Sequence, residues 1–211
     1  MNNFIHQLVS DNYQHGLWLN TLSLMENTGA KKIKNFESKF LVTETILKHS
    51  AEESRHAYFL KKQLSKLSDV SLPTYERQYL LAPADSLNYL NLLDVQVCRY
   101  LKSNFNYNNE QLKYAAYLLV TFAIEVRADE IYPIYQQALD SIKSNINVKS
   151  IIAEEMNHLA EMRSSIASFF EDPNTVCDVV IELEKKLYDQ WILGVEKHLT
   201  ELSRTEAKST Y

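Results

Sequence analysis

The chain has 211 residues, 45% hydrophobic and 23% charged, a balance that excludes a disordered chain and fits one domain of ordinary size. The net charge of −5 argues against a nucleic-acid partner, which calls for a basic face. Three Gly and four Pro leave few breakpoints, and Cys98 and Cys177 form no CxxC, so helices are favoured and reduced thiols of a cytoplasmic protein are expected rather than a zinc ribbon or redox pair.

The opening MNNFIHQLVSDN lacks the basic start and apolar run of a signal peptide. No run of about 18 apolar residues follows, so no membrane span is expected. The first predicted helix covers 12–34, with Leu19, Leu22, Met25 and Ile33 at helical spacing and Gly29 as a local weak point. The second covers 38–67. Its stripe of Val42, Ile46, His49, Glu53, His56, Leu60 and Leu64 is apolar at both ends and polar in the middle. Residues 68–84, with Pro73 and Pro83, read as a link, and a shorter helix over 86–103 presents Leu90, Leu93, Val97 and Leu101.

A long helix over 109–142 places Tyr114, Tyr117, Leu118, Thr121, Glu125, Ala128 and Tyr132 on one face, and Pro133 should kink or break it. The next, over 148–169, aligns Ile151, Glu155, His158, Met162 and Ile166. Asp172-Pro173 reads as a helix start, and a last helix over 174–202 turns Val176, Val180, Leu183, Leu187, Trp191 and Leu199 inward, with a frayed polar tail after Arg204. One domain, 1–211, is expected, its core bundle at 12–169.

Two of these stripes carry the same anomaly. Glu52-Glu53-Ser54-Arg55-His56 and Glu154-Glu155-Met156-Asn157-His158 both contain Glu-x-x-His, whose i and i+3 side chains can reach one metal ion. A lone Glu stands upstream of each, Glu26 before Glu53 by 27 residues and Glu125 before Glu155 by 30, a spacing that suits antiparallel helix pairs. Carboxylates with imidazoles suit iron or manganese better than a thiolate-seeking metal. Four Glu in an apolar core would be costly without cations, and two divalent ions cancel their charge.

The set Glu26, Glu53-x-x-His56, Glu125, Glu155-x-x-His158 resembles the ferritin-like di-iron carboxylate superfamily over roughly residues 14–168. The resemblance implies an all-α, ferritin-like four-helix bundle with additional crossover and C-terminal helices. It implies Glu26, Glu53 and His56 on one side of a centre, Glu125, Glu155 and His158 on the other, and Glu53 and Glu155 bridging. These six are the expected metal ligands and catalytic set. It also suggests that Glu52 and Glu154 hydrogen-bond the His across the site, the alternative being plain solvated charge. His49 is either a seventh ligand or a satisfied histidine above the site. Tyr117 and Tyr132 are either phenols near the metals or packing. His6, His15 and His198 lie outside the motif, and Leu60 stands where the radical-generating ribonucleotide reductase subunit has a Tyr.

Two iron ions, or manganese or a mixed pair, are the expected cofactors. The expected activity is a di-iron oxidase or oxygenase that uses O2 on a small or hydrophobic organic substrate, with an electron donor and a pocket drawing on Leu22, Phe59, Thr121 and Phe122. The alternatives are a rubrerythrin-like peroxidase or iron-handling protein, against which no rubredoxin module is present, and a non-catalytic ligand-binding protein with structural metals. Homodimerisation stays open.

Overall fold

The structure, a computed structural model, describes residues 2–36 and 42–209; the side chains of residues 2, 3, 35, 36 and 205–209 lie outside the description. The described residues form seven α-helices and no strand: α1 Asn2–Val9, α2 Asn12–Phe36, α3 Glu44–Gln63, α4 Pro83–Asn104, α5 Asn109–Ser141, α6 Lys149–Phe169 and α7 Pro173–Ser209. No helix among them is long and apolar enough to cross a membrane.

Directions follow from which residues meet. Along α2 and α3, Ser23 Oγ donates to Ala57 O at 2.7 Å while Lys61 reaches back to Asn20, so the two helices run antiparallel. Along α3 and α6, Lys48 meets Glu161 and Arg55 meets Glu154. Along α5 and α6, Gln136 Oε1 accepts from Val148 N at 2.7 Å, and Arg163 lies over the Phe122 ring. Helices α2, α3, α5 and α6 thus enclose one shared interior. Outside it, α4 and α7 form a second antiparallel pair, with Ala82 N donating to His198 Nδ1 and Trp191 Nε1 to Ser86 Oγ.

The expected helices are all present with shifted ends. The second helix begins at Glu44, because Thr43 caps it, its Oγ1 accepting from Ile46 N; the expected start at 38–41 lies outside the described residues. The link is anchored rather than loose. Asn20 Nδ2 donates to Thr74 O and Tyr79 O, Lys61 Nζ to Leu72 O, and Leu80 and Leu81 are buried. Helix α4 starts early, with Pro83 in its first turn, where a missing N–H costs nothing.

Pro133 does not break α5. An interior proline costs about 3 kcal/mol, and burial of Ile131, Tyr132, Tyr135 and Leu139 around it offsets that cost. Nor does α5 bury a single stripe. From Tyr117 to Ala123 every residue is buried, as in a helix packed on all sides. Leu183 is only half-buried, and Glu184 is the residue α7 turns inward. The helix continues to Ser209 rather than fraying after Arg204. Helix α1 was not read from the sequence, although Phe4, Ile5, Leu8 and Val9 carry a helical stripe and are buried.

Candidate metal centre

Each long helix of the shared interior delivers part of one cluster. Helix α2 supplies Glu26, α3 Glu53 and His56, α5 Glu125, and α6 Glu155 and His158. The i, i+3 spacing puts each Glu-x-x-His pair on the buried face of its helix. Glu26 is partly buried and the other five are buried.

The six residues form two overlapping groups. Ligand atoms of Glu26, Glu53, His56 and Glu155 lie within 4.8 Å of one another, as do those of Glu53, Glu125, Glu155 and His158. Glu53 and Glu155 belong to both. His56 Nδ1 is 3.0 Å from Glu155 Oε1 and 3.8 Å from Glu26 Oε2. His158 Nδ1 is 3.3 Å from Glu155 Oε2 and 3.7 Å from both Glu53 Oε1 and Glu125 Oε1. Neither contact has the alignment of a hydrogen bond, so two buried ring nitrogens aim into a carboxylate cluster close to its oxygens but without an aligned hydrogen bond.

The opposite ring nitrogens are occupied. His56 Nε2 pairs with Glu154 Oε2 and His158 Nε2 with Glu52 Oε2, each at 2.7 Å. Arg55 in turn holds Glu154. These cross-site bonds favour the tautomer with hydrogen on Nε2 and a lone pair on Nδ1, the form a metal ligand needs.

Charge in this interior is unevenly shared. Burial, with neighbouring carboxylates, pushes Glu53 and Glu125 well above the usual carboxylate range. Burial raises Glu26 as well. Glu155 is also buried, but hydrogen bonding from Glu125 and contact with His158 and His56 hold it below the usual range. Burial works against a charged His158, yet Glu155 and Glu52 lift it to about 9. Glu26, Glu53, Glu125 and His158 are thus each easier to protonate than in water while Glu155 is harder, so bound protons compensate part of the charge that cations would otherwise balance.

His49 is not aimed at the cluster. Its Nε2 is 2.8 Å from Glu161 Oε2 and its Nδ1 3.2 Å from Tyr117 Oη, so both ring nitrogens are engaged. Tyr132 donates to Glu26 Oε1, whereas Tyr117 bonds the His49 ring. Sequence reasoning missed Glu161, which sits one turn beyond His158 and also pairs with Lys48 at 2.5 Å. His15 and His198 bond Tyr135 and Ala82, away from the cluster.

A cavity of about 360 Å³ between α2, α4 and α5 reaches Glu53 and Glu125. Thr121 lines it as expected. Leu22 lines a smaller one of about 70 Å³ beside Glu26, and Phe59 and Phe122 line neither. Gly29 faces the larger cavity, and a Cβ there would sit 3.5 Å from Glu53 Oε2. The chain matches no protein-family model, no curated protein and no solved structure.

Proposed function

We propose that this chain is a ferritin-like dimetal carboxylate protein whose two iron ions, or manganese or a mixed pair, serve oxidation of a small or hydrophobic organic substrate with O2. One observation carries the reading: two four-residue groups able to hold a metal share Glu53 and Glu155, and both histidines point at them an Nδ1 that makes no aligned hydrogen bond. The donor set fits the ions. Carboxylate oxygen with imidazole nitrogen suits iron and manganese, and two divalent ions would neutralise four buried carboxylates. Glu26 and His56 would hold one ion, Glu125 and His158 the other, with Glu53 and Glu155 between them.

When bound, such a pair supplies the redox chemistry and Lewis acidity that O2 or peroxide activation requires. The chain's own residues do the rest. Glu52 and Glu154 fix the imidazole tautomers, Tyr132 steadies Glu26, and apolar walls keep water from a substrate beside Glu53 and Glu125. The 360 Å³ cavity falls within the usual size of small-molecule sites, about 300–1,000 Å³, and favours an organic substrate over iron storage.

The test is anaerobic loading with ferrous ion, elemental analysis, and stopped-flow mixing with O2 and separately with hydrogen peroxide. About two irons per chain and an absorption change on mixing with O2 are expected. Only trace metal after loading would defeat the reading. Response to peroxide alone would favour a rubrerythrin-like peroxidase, and silence with both a structural metal site.

A further inference from the structure

The larger cavity has two chemically different ends. Its buried end is Glu53, Thr121 and Glu125. Its outer end is formed by Lys102 and Lys113, both exposed, with half-buried Leu112 and Ala116 just inside. Between the ends, α5 supplies the wall at every turn, through Ala116, Val120 and Ile124. Lys113 and Glu125 are about three turns apart on that helix, so the residues lining the cavity span about 18 Å along its axis. A slot this long and apolar fits a chain-like molecule rather than a compact one.

The charges at the mouth are one-sided. Asp94 lines it but is taken by Lys32, which also donates to Leu90 O at 2.5 Å. A surface groove continues outward past Cys98 and Lys102 and adds Arg99, also exposed. Lys102, Lys113 and Arg99 therefore gather three positive charges at the opening of an apolar slot, on a chain whose net charge is −5. Local charge opposite to that of the whole molecule at a cavity mouth attracts an anionic group and holds it in water while the apolar part enters.

We infer that the slot between α2, α4 and α5 binds an amphipathic anion, an unbranched apolar chain with a carboxylate or phosphate head, whose head stays at Lys102, Lys113 and Arg99 and whose tail points to Glu53 and Glu125. This names the substrate class of the proposed oxidation and rests on that reading for what happens at the tail. Binding itself needs only the slot and the three cations. In this orientation the carbons nearest the carboxylate cluster belong to the far end of the chain.

Calorimetric titration of the purified full chain, metal-free and iron-loaded, with octanoate, decanoate and laurate tests it, with decyl phosphate, decanol and decylammonium as comparisons. Each added methylene should tighten binding about fourfold until the slot is full. Decanoate and decyl phosphate should bind at least about tenfold more tightly than decylammonium; whichever of the two binds better identifies the head. Combined Arg99→Gln, Lys102→Gln and Lys113→Gln should weaken decanoate about tenfold and leave decanol unchanged. Ala116→Trp should abolish both. Should that variant not fold, protection of Cys98 from alkylation by decanoate in a Cys177→Ser background locates the ligand without a core change.

Equal binding of decanoate and decylammonium, or no binding by folded protein, overturns the inference. So does decanoate binding that requires iron and ignores the three cations, since the carboxylate would then sit on the metals. A chain that holds two irons but no alkanoate defeats this inference and leaves the dimetal reading standing. Alkanoate binding without iron uptake does the reverse.

Discussion

His15 is closed off from water at 1% exposure, its ring edge-on to Tyr135 and its Nε2 2.6 Å from the Tyr135 hydroxyl. Burial disfavours its charged form and pushes its pKa down to about 4. Between that value and the ordinary histidine value of about 6.5 the unfolded chain binds the proton and the folded chain does not. The group's contribution to stability is therefore complete above the unfolded value and is lost as pH falls toward the folded one. It should amount to about 2 kcal/mol lost near pH 5 relative to pH 8. Urea unfolding of the wild type and of His15→Gln at both pH values checks this, because the difference between the two proteins isolates one residue. A difference that does not change with pH would mean the folded chain carries a charged His15. Other residues of the same type were legible from position alone. His56 and His158 stand out because a polar residue in the middle of an otherwise apolar stripe needs a partner, and the structure gives each one a glutamate on the opposite helix. His49 shares that stripe, and only the three-dimensional neighbours Glu161 and Tyr117 separate it from the six expected ligands.

Between elements, one buried ion pair ties three helices together. Arg127 of α5 donates to Glu184 of α7 from Nε at 2.9 Å and from Nη2 at 2.6 Å. Tyr89 of α4 donates its hydroxyl to the same carboxylate at 2.6 Å, and the guanidinium lies 3.8 Å from the centroid of the Tyr188 ring. Glu184 is 2% exposed, so losing its partner would leave a charge without water or counter-charge. Arg127→Met should cost about 3–5 kcal/mol, and the double change with Glu184→Leu should recover much of it, because no unpaired ion remains. Chemical denaturation of the three proteins decides; a double variant no more stable than Arg127→Met would show that the pair stabilises the fold beyond satisfying its own charges. This clamp was invisible to periodicity. Positions 183 and 184 both fit the alternation of three and four along α7, hydropathy selects Leu183, and the Arg that makes Glu184 buriable sits on another helix. The same limit explains α5, whose apolar stripe was readable while its burial on every side depends on α1, α4 and α7 packing around it.

At the scale of the molecule, the helix pairs and the cluster were legible for one reason. The spacing of a lone Glu and a Glu-x-x-His occurs twice, and antiparallel pairing of α2 with α3 and α5 with α6 brings equivalent levels together. The cavity was not, because its walls come from three helices whose relative placement no single stripe encodes. The shared position of Glu53 and Glu155 gives the proposed centre a signature that independent sites would lack. Glu26 and Glu125 each belong to one ligand group, so Glu26→Ala or Glu125→Ala should weaken one ion and spare the other, leaving about one per chain. Glu53→Ala or Glu155→Ala removes a ligand from both groups and should reduce both ions together. Each change also removes a buried carboxylate, which relieves the metal-free interior of a desolvated group. The metal-free variants should therefore melt no lower than the metal-free wild type, while their gain in melting temperature on ferrous loading should shrink. Elemental analysis after loading, paired with thermal melts in the presence and absence of ferrous ion, reads both effects. Equal metal content in all four variants would show that the ions are held elsewhere. One ion lost from Glu53→Ala and from Glu26→Ala alike would mean two separate sites rather than a centre built around shared glutamates.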